Sequence, residues 1–492
     1  MTGTTTQPGI TRPVLSNPHE LYIDGGWKAP ADARKIQVVS PHNEEVIEEV
    51  AAAGNSDVDI AVAAAREAFD HGPWPRLSPH QRAEIVGKLG DMIAQRLPEV
   101  AGAWVDQVGT LASVAPFVIP GEHGWFDYYV RLAENFEFES EVTLESGGKG
   151  FVIREPAGVA AIITPWNNPY GTMIGKLIPA LIAGCTVIMK PAPETPIEAY
   201  LIAEAADKVG LPPGVLNLLP AERSPSEYLV SHDGVDKVSF TGSVAAGKRI
   251  AQTSGANLTR YTLELGGKSA AVVLDDYDIE AAAATLAQTI TMSAGQVCAA
   301  LSRVLISKKR QPALLEALHA ELDNITVGNP YDSKTMMGPL AMSRQRDRVE
   351  HYIASGRTQG ATLVRGGRRP AHLERGYYIE PTLFGDVDPE MTIAHEEIFG
   401  PVLSVLTFED EADAISKANA TSYGLYGAVF TQDDAAAYRI ARGMRAGTIA
   451  HNNFLFDRAL PFGGFKDSGV GREGGEAGLL SFTEAKSFIP RG

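Results

Sequence analysis

Only two cysteines, Cys185 and Cys298, occur in 492 residues. That leaves no disulfide framework and predicts a reducing compartment, the cytoplasm by default. No stretch approaches the roughly 18 consecutive apolar residues of a membrane span, and segment 1–18 is polar and Thr-rich with no apolar run; neither membrane insertion nor secretion is expected. Positive charge is in deficit. With 43 Lys and Arg against 60 Asp and Glu the net charge is −17, a field that repels polyanions, so nucleic acid is not an expected partner. The histidines form no zinc-type spacing and no Cys-His-Asn set, so no metal is expected. What remains is an ordinary globular composition, long enough for two to four domains.

Taken in order, 1–18 reads as a flexible arm, and Leu21 to Trp27 as a hairpin whose Asp24-Gly25-Gly26 turn supplies positive φ. Ser56 is the expected cap of a helix from Asp57 to His71, and Ser78-Pro79 opens a second towards Arg96. After an aromatic segment, Trp125 to Phe136, the residues from Glu137 to Ile153 alternate polar and apolar, the pattern of exposed strands whose edge pairs with a partner chain. From Gly158 short apolar runs alternate with amphipathic helices, as βαβ units do. Strands are expected at Val159 to Thr164, Thr186 to Lys190, Val215 to Leu219 and Lys237 to Phe240, with helices starting near Met173, at Pro196 behind Thr195, and at Ser243.

A second alternation runs from Ala270 to His451, with strands at Ala270 to Leu274, Val304 to Ser307, Thr382 to Phe384, Val402 to Phe408, Ala428 to Thr431 and Thr448 to His451. The expected fold is α/β: two doubly wound α/β domains, the first Rossmann-like (19–136 and 154–263) and the second spanning 264–452. A small β oligomerisation element (137–153 and 478–492) and a glycine-rich stretch, 453–477, complete it.

Ser293 to Ala300 presents one thiol between small residues. Gly295-Gln296 should break the helix ahead of Cys298, which sets it apart from an inert buried cysteine such as Cys185 at its strand start. Only a thiolate attacks, and a free thiol titrates near ~8.5, so a nucleophilic Cys298 needs partners. Pro165-Trp166-Asn167-Asn168-Pro169 follows a strand, at the carboxyl end of the sheet where ligands collect; its amides can donate to an oxyanion or simply make a turn. Lys190 closes the next strand. Thr241-Gly242-Ser243 gives a turn and a helix start, either an anion site or plain capping. Glu264-Leu265-Gly266-Gly267-Lys268 offers a general base or a charged turn. Glu397-Ile398-Phe399-Gly400-Pro401 offers a carboxylate and an aromatic ring, or a strand lead-in.

In this order, and with Pro461-Phe462-Gly463-Gly464, these motifs resemble the aldehyde dehydrogenase superfamily of the NAD(P)-dependent hydrolytic type, from Leu21 to about Phe488. The resemblance implies that Cys298 attacks an aldehyde and that Asn167 and the Cys298 backbone N–H hold the oxyanion. A hydride then leaves for nicotinamide, and Glu264 activates water to hydrolyse the thioester to a carboxylic acid. It implies cofactor contacts at Pro165, Trp166, Lys190, Glu194, Gly242, Ser243, Gly247, Leu265, Glu397 and Phe399. Among these, Lys190 would meet the adenosine ribose, Ser243 the pyrophosphate, and Glu397 the nicotinamide ribose, with Phe399 beside the ring. Many NAD-preferring relatives carry an acid three positions after the motif lysine; Pro193 stands there and Glu194 follows, so NAD is expected, with NADP as the alternative.

The same resemblance makes 264–452 the catalytic domain and 453–477 a substrate-tunnel loop. Phe454, Leu455, Phe456, Asp457 and Arg458 mix apolar and charged groups, Asn168 adds a polar one, and Gly171 and Gly175 leave room, which predicts a bulky or partly polar aldehyde. A homodimer or homotetramer is implied. Two other readings stand beside this one. A CoA-acylating semialdehyde dehydrogenase would not need Glu264 as a base, and a non-catalytic member of the fold would not need Cys298, Glu264 and Asn167 together.

Overall fold

Along Val159–Ile163, Ala160 and Ile162 join one buried apolar cluster while Val159, Ala161 and Ile163 join another. A strand buried on both faces belongs inside a parallel sheet. In the computed structural model, which describes residues 9–491, it lies at the centre of an eight-stranded sheet. The order is Gly469–Val470, Arg260–Glu264, Lys237–Thr241, Val159–Ile163, Thr186–Lys190, Leu216–Leu218, Leu21–Ile23 and Gly26–Lys28. Neighbours from Arg260–Glu264 to Leu216–Leu218 are parallel, and the flanking strands are antiparallel. Helix Pro169–Ala183 covers one face and Val244–Asn257 the other. The chain therefore changes face between Val159–Ile163 and Lys237–Thr241, the switch point at which open α/β sheets bind ligands. The expected doubly wound layout is present.

The second sheet has the order Thr362–Arg365, Thr382–Gly385, Val402–Phe408, Arg303–Ser307, Ala270–Val273, Tyr426–Phe430 and Thr448–His451, parallel except for its first strand. Because Ala270–Val273, Arg303–Ser307 and Val402–Phe408 run the same way, the loops before them share one edge. Those loops carry Gly266-Gly267, Cys298 and Glu397. The site therefore forms between the carboxyl edge of the first sheet and the amino edge of the second.

A three-stranded antiparallel sheet joins Glu139–Thr143, Lys149–Pro156 and Thr483–Phe488, with Val142, Phe488 and Ile489 exposed on it or beside it. Among the described residues no helix is long and apolar enough to cross a membrane, and no group of three His, Cys, Asp or Glu could hold a metal ion.

Several local expectations are corrected. Residues 1–8 lie outside the described residues, but the rest of the expected arm is docked: Thr11 N donates to Pro98 O (2.9 Å) and Ser16 N to Glu204 Oε1 (2.6 Å). The first helix begins at Asn55 and is capped at Gly54 instead of Ser56, because the Asp57 carboxylate accepts the Gly54 N–H at 2.8 Å. The helix expected near Met173 starts at Pro169, where Asn168 Oδ1 accepts from Gly171 N (3.2 Å). Thr195 caps nothing; Pro196 is the cap, and Gln107 Oε1 receives the Ile197 N–H (3.1 Å). Helices Leu97–Val108 and Ala115–His123, absent from the sequence reading, carry prolines that resemble breakers; Pro98 and Pro116 sit in first turns, where no N–H is needed, and Pro120 stands inside the second helix.

Arg82 secures the end of helix Pro169–Ala183 from within. It is 4% exposed, with Nε donating to Ile182 O (2.8 Å) and Nη2 to Ala183 O (3.2 Å). Arg82→Met is expected to strand these carbonyls and cost about 3 kcal/mol, read as a lower urea midpoint at unchanged m-value.

Candidate active site

Helix Ile279–Thr291 ends early, and Ser293 (φ 46°), Ala294 (φ 53°) and Gly295 (φ 74°) then turn left-handed in succession before Cys298. The expected helix break is there, and it is built from strain of about 1 kcal/mol or more at each non-glycine position. Packing holds that turn. A Cβ on Gly295 would lie 2.3 Å from the backbone of Gly400, and one on Gly267 would lie 2.4 Å from Cys298 O. The three loops of the second sheet thus meet backbone to backbone, and only glycine permits it. Gly295→Ala is expected to push the Cys298 loop off Gly400, lowering stability by about 2–4 kcal/mol and turnover at least about tenfold; denaturant midpoints and initial rates would measure both.

Gln296 ties the same loop down. Its Nε2 donates to Ser293 O (2.8 Å) and its Oε1 accepts from Ala341 N (2.9 Å). From the first sheet, Asn167 Nδ2 donates to Gln296 O at 2.8 Å, while Trp104 Nε1 donates to Asn167 O at 3.0 Å. An amide NH2 has two donors, so one remains for a ligand.

Cys298 and Glu264 face each other. Burial raises the thiol well above the usual range, and the charges of Glu264 and Glu397 raise it further. Glu264 is 4% exposed, and its Oε1 has no hydrogen-bond partner. Burial holds its carboxyl well above the carboxylate range, Glu473 and Glu397 add to that, and Lys176 opposes it. Lys176 is 1% exposed and ion-paired with Glu473. Neither residue was read from the motifs, although one lysine in the apolar run Pro169–Ala183 is a legible signal. Glu397 accepts from Gly267 N (2.9 Å), and burial pushes it up to about 7 against that bond and the charges of Arg348 and Lys268. The returning tail fixes the loop after Glu264: Ser468 Oγ donates to Gly266 O (2.7 Å) and accepts from Gly424 N (2.9 Å).

One cavity of about 1370 Å³ unites these groups. Pro165, Trp166, Asn167, Gly242, Ser243, Glu264, Leu265, Cys298, Glu397 and Phe399 line it. Lys190, Glu194 and Gly247 do not. Lys190 ends its strand buried, its ammonium pulled down to about 8 by burial and partly restored by Glu194. Glu194 is ion-paired with Arg344. Gly247 serves packing, since a Cβ there would lie 2.6 Å from Leu265 Cδ2.

A dinucleotide fits this donor set. Ser243 opens a 14-residue helix at the switch point, leaving first-turn N–H groups for a pyrophosphate, while Glu397 and Phe399 line the same cavity.

Trp125, Phe454, Phe456, Phe462 and Arg458 line the same cavity. Gly175 leaves space as expected, with Trp125 3.8 Å from where its Cβ would be. At Gly171 the space is taken, because the Glu122 carboxylate occupies it.

The Aldehyde dehydrogenase family profile matches residues 27–488. Geranial dehydrogenase of Castellaniella defragrans is 40% identical over 95% of this chain and 98% of its own. A 3-succinoylsemialdehyde-pyridine dehydrogenase from a Pseudomonas species is also 40% identical, over 96% and 98%. The crystal structure of a Mycobacterium tuberculosis aldehyde dehydrogenase complexed with NAD+ superposes with a TM-score of 0.95 at 40% identity, covering 97% of this chain and 99% of that one. With this fold, a dinucleotide-sized cavity and a family match over nearly the whole chain, the protein belongs to the aldehyde dehydrogenase family and is an NAD-dependent enzyme that oxidises aldehydes.

Proposed function

We propose that the chain converts a bulky aldehyde to its carboxylic acid through a covalent thioester on Cys298, with Glu264 as the base for water. The observation that carries this reading is the Cys298 thiol facing the Glu264 carboxyl in a cavity that Asn167 also lines. Addition of Cys298 Sγ to the carbonyl carbon makes a thiohemiacetal, whose oxyanion takes the free N–H of Asn167 Nδ2 and the Cys298 backbone N–H. Asn167 can do this without reorganising, since Gln296 O and Trp104 already fix both ends of the residue. When bound, NAD supplies the hydride acceptor that turns this adduct into a thioester. Glu264 then takes a proton from water, the hydroxide attacks the thioester carbon, and Cys298 leaves as thiolate.

Aromatic walls at Trp125, Phe454, Phe456 and Phe462 support a bulky, mostly apolar substrate, in keeping with the geranial and pyridine-semialdehyde relatives. The two sheets support a nucleotide-binding part (19–136 and 154–263) and a catalytic part (264–452). The exposed strands Glu139–Thr143 and Thr483–Phe488 support pairing into a homodimer or homotetramer.

The test is reduced-nicotinamide formation without CoA, with NAD and NADP separately, against aliphatic, terpenoid, aromatic and semialdehyde substrates, with acid product quantified. One carboxylate per reduced nicotinamide is the expected result. Turnover that requires CoA and yields an acyl-CoA would overturn the hydrolytic reading.

A further inference from the structure

Besides Asp457 on the loop 453–477, the cavity is lined by a buried carboxylate that the chemistry at Cys298 leaves unused. Glu122, near the end of helix Ala115–His123, rests against Gly171; a Cβ on that glycine would lie 2.5 Å from Glu122 Cδ and 2.7 Å from Oε2. The carboxylate therefore takes the wall position that a side chain at 171 would fill, and both residues line the cavity. Oε1 accepts from Asn168 Nδ2 at 2.5 Å, and Oε2 has no partner. A carboxylate offers about four acceptor sites, so most of this buried group's capacity is unsatisfied.

Apolar side chains of Val118, Trp125, Phe454 and Phe456 line the same cavity, with Asp457 and Arg458 as the charged groups of the loop that carries the two phenylalanines. The nearest cation is Arg458, which donates to Gly121 O and lies 5.8 Å over the Trp125 ring. With a guanidinium already on that ring, a cationic substrate group would meet like charge, and a neutral donor would not. An acceptor left unpaired in an apolar wall costs free energy, so a ligand that satisfies it is favoured over one that does not.

Resting on the reading that Cys298 oxidises the aldehyde, we propose that Glu122 is a specificity-determining residue that accepts a hydrogen bond from a hydroxyl on the substrate. The enzyme selects bulky, mainly apolar aldehydes that carry a neutral hydroxyl remote from the carbonyl.

The ionised acceptor is the stronger one. Burial pushes Glu122 up to about 7, against the Asn168 bond and the charge of Arg458. Tyr170 and Glu198 face it from the neighbouring helices, and His123 follows it in the chain with its ring on Tyr170 Oη (2.7 Å). The preference should grow as pH rises through about 7.

The probes are 3- and 4-(hydroxymethyl)benzaldehyde against 3- and 4-ethylbenzaldehyde, pairs of nearly equal shape whose alcohols do not titrate. For at least one isomer, wild-type kcat/KM should favour the hydroxyl about 10- to 100-fold. The ratio should fall towards one in Glu122→Gln, where an NH2 donor replaces Oε2. It should also rise with pH through about 7 in the wild type, a readout that needs no variant and in which titrations common to both substrates cancel. Turnover with ratios near one for both isomers, a ratio that survives Glu122→Gln, or a pH-independent ratio would overturn the proposal while leaving Cys298 chemistry intact. No reduced nicotinamide from any aldehyde would instead overturn the catalytic reading, and this proposal with it.

Discussion

Cys298→Ala protein is expected to fold, to bind NAD, and to form reduced nicotinamide at a rate lower by at least about 10⁴-fold with every aldehyde. The only other thiol, Cys185, cannot substitute. It is fully buried, burial pushes it up to about 11, and it packs away from the cavity with its Sγ on Phe482 O. Stability should change little, because Cys298 is half-buried and is placed by backbone contacts at Gly295 and Gly267. Initial rates alongside nucleotide titration and thermal melting separate loss of chemistry from loss of fold. Residual turnover within tenfold of wild type would remove Cys298 as nucleophile.

Glu264→Gln should fail at a different point. On the proposed mechanism, attack and hydride loss need Cys298 and Asn167, whereas release of the acid needs a base for water. A burst of about one reduced nicotinamide per subunit is expected, followed by a steady rate lower by about 10²–10⁴-fold, with an acyl adduct on Cys298 visible by intact mass. Absence of both burst and adduct would move Glu264 to an earlier step.

The pH dependence follows from the same groups. In the cavity as it stands, burial and mutual charge raise both Cys298 and Glu264 above their ordinary values. Both therefore ionise at higher pH than a free carboxyl and a free thiol would, and on the proposed mechanism the reactive thiolate and carboxylate grow as pH rises. Turnover by the wild-type enzyme should climb from neutral into alkaline pH, and the Glu264→Gln burst should keep only the part of that rise due to Cys298.

By itself, the sequence determined the two βαβ alternations, since apolar runs of strand length between amphipathic helices have few other ways to be buried. It also determined the chemistry-bearing loops, because Cys298, Glu264, Asn167 and Glu397 sit in short motifs whose turn residues mark strand ends. Pro98, Pro116 and Pro120 hid two helices, and Asp57 overrode the local signal at Ser56. What only the tertiary structure decided lies in contacts across long stretches of chain. Trp104 on Asn167, Lys176 with Glu473, and Glu122 in the place of a side chain at Gly171 depend on how helices pack over the first sheet. The raised carboxyls and thiol likewise arise from desolvation, which exists only once two sheet edges close on one another. Local pattern sets which loops reach the site, but the free energy of a buried charge depends on neighbours that the chain brings in from elsewhere.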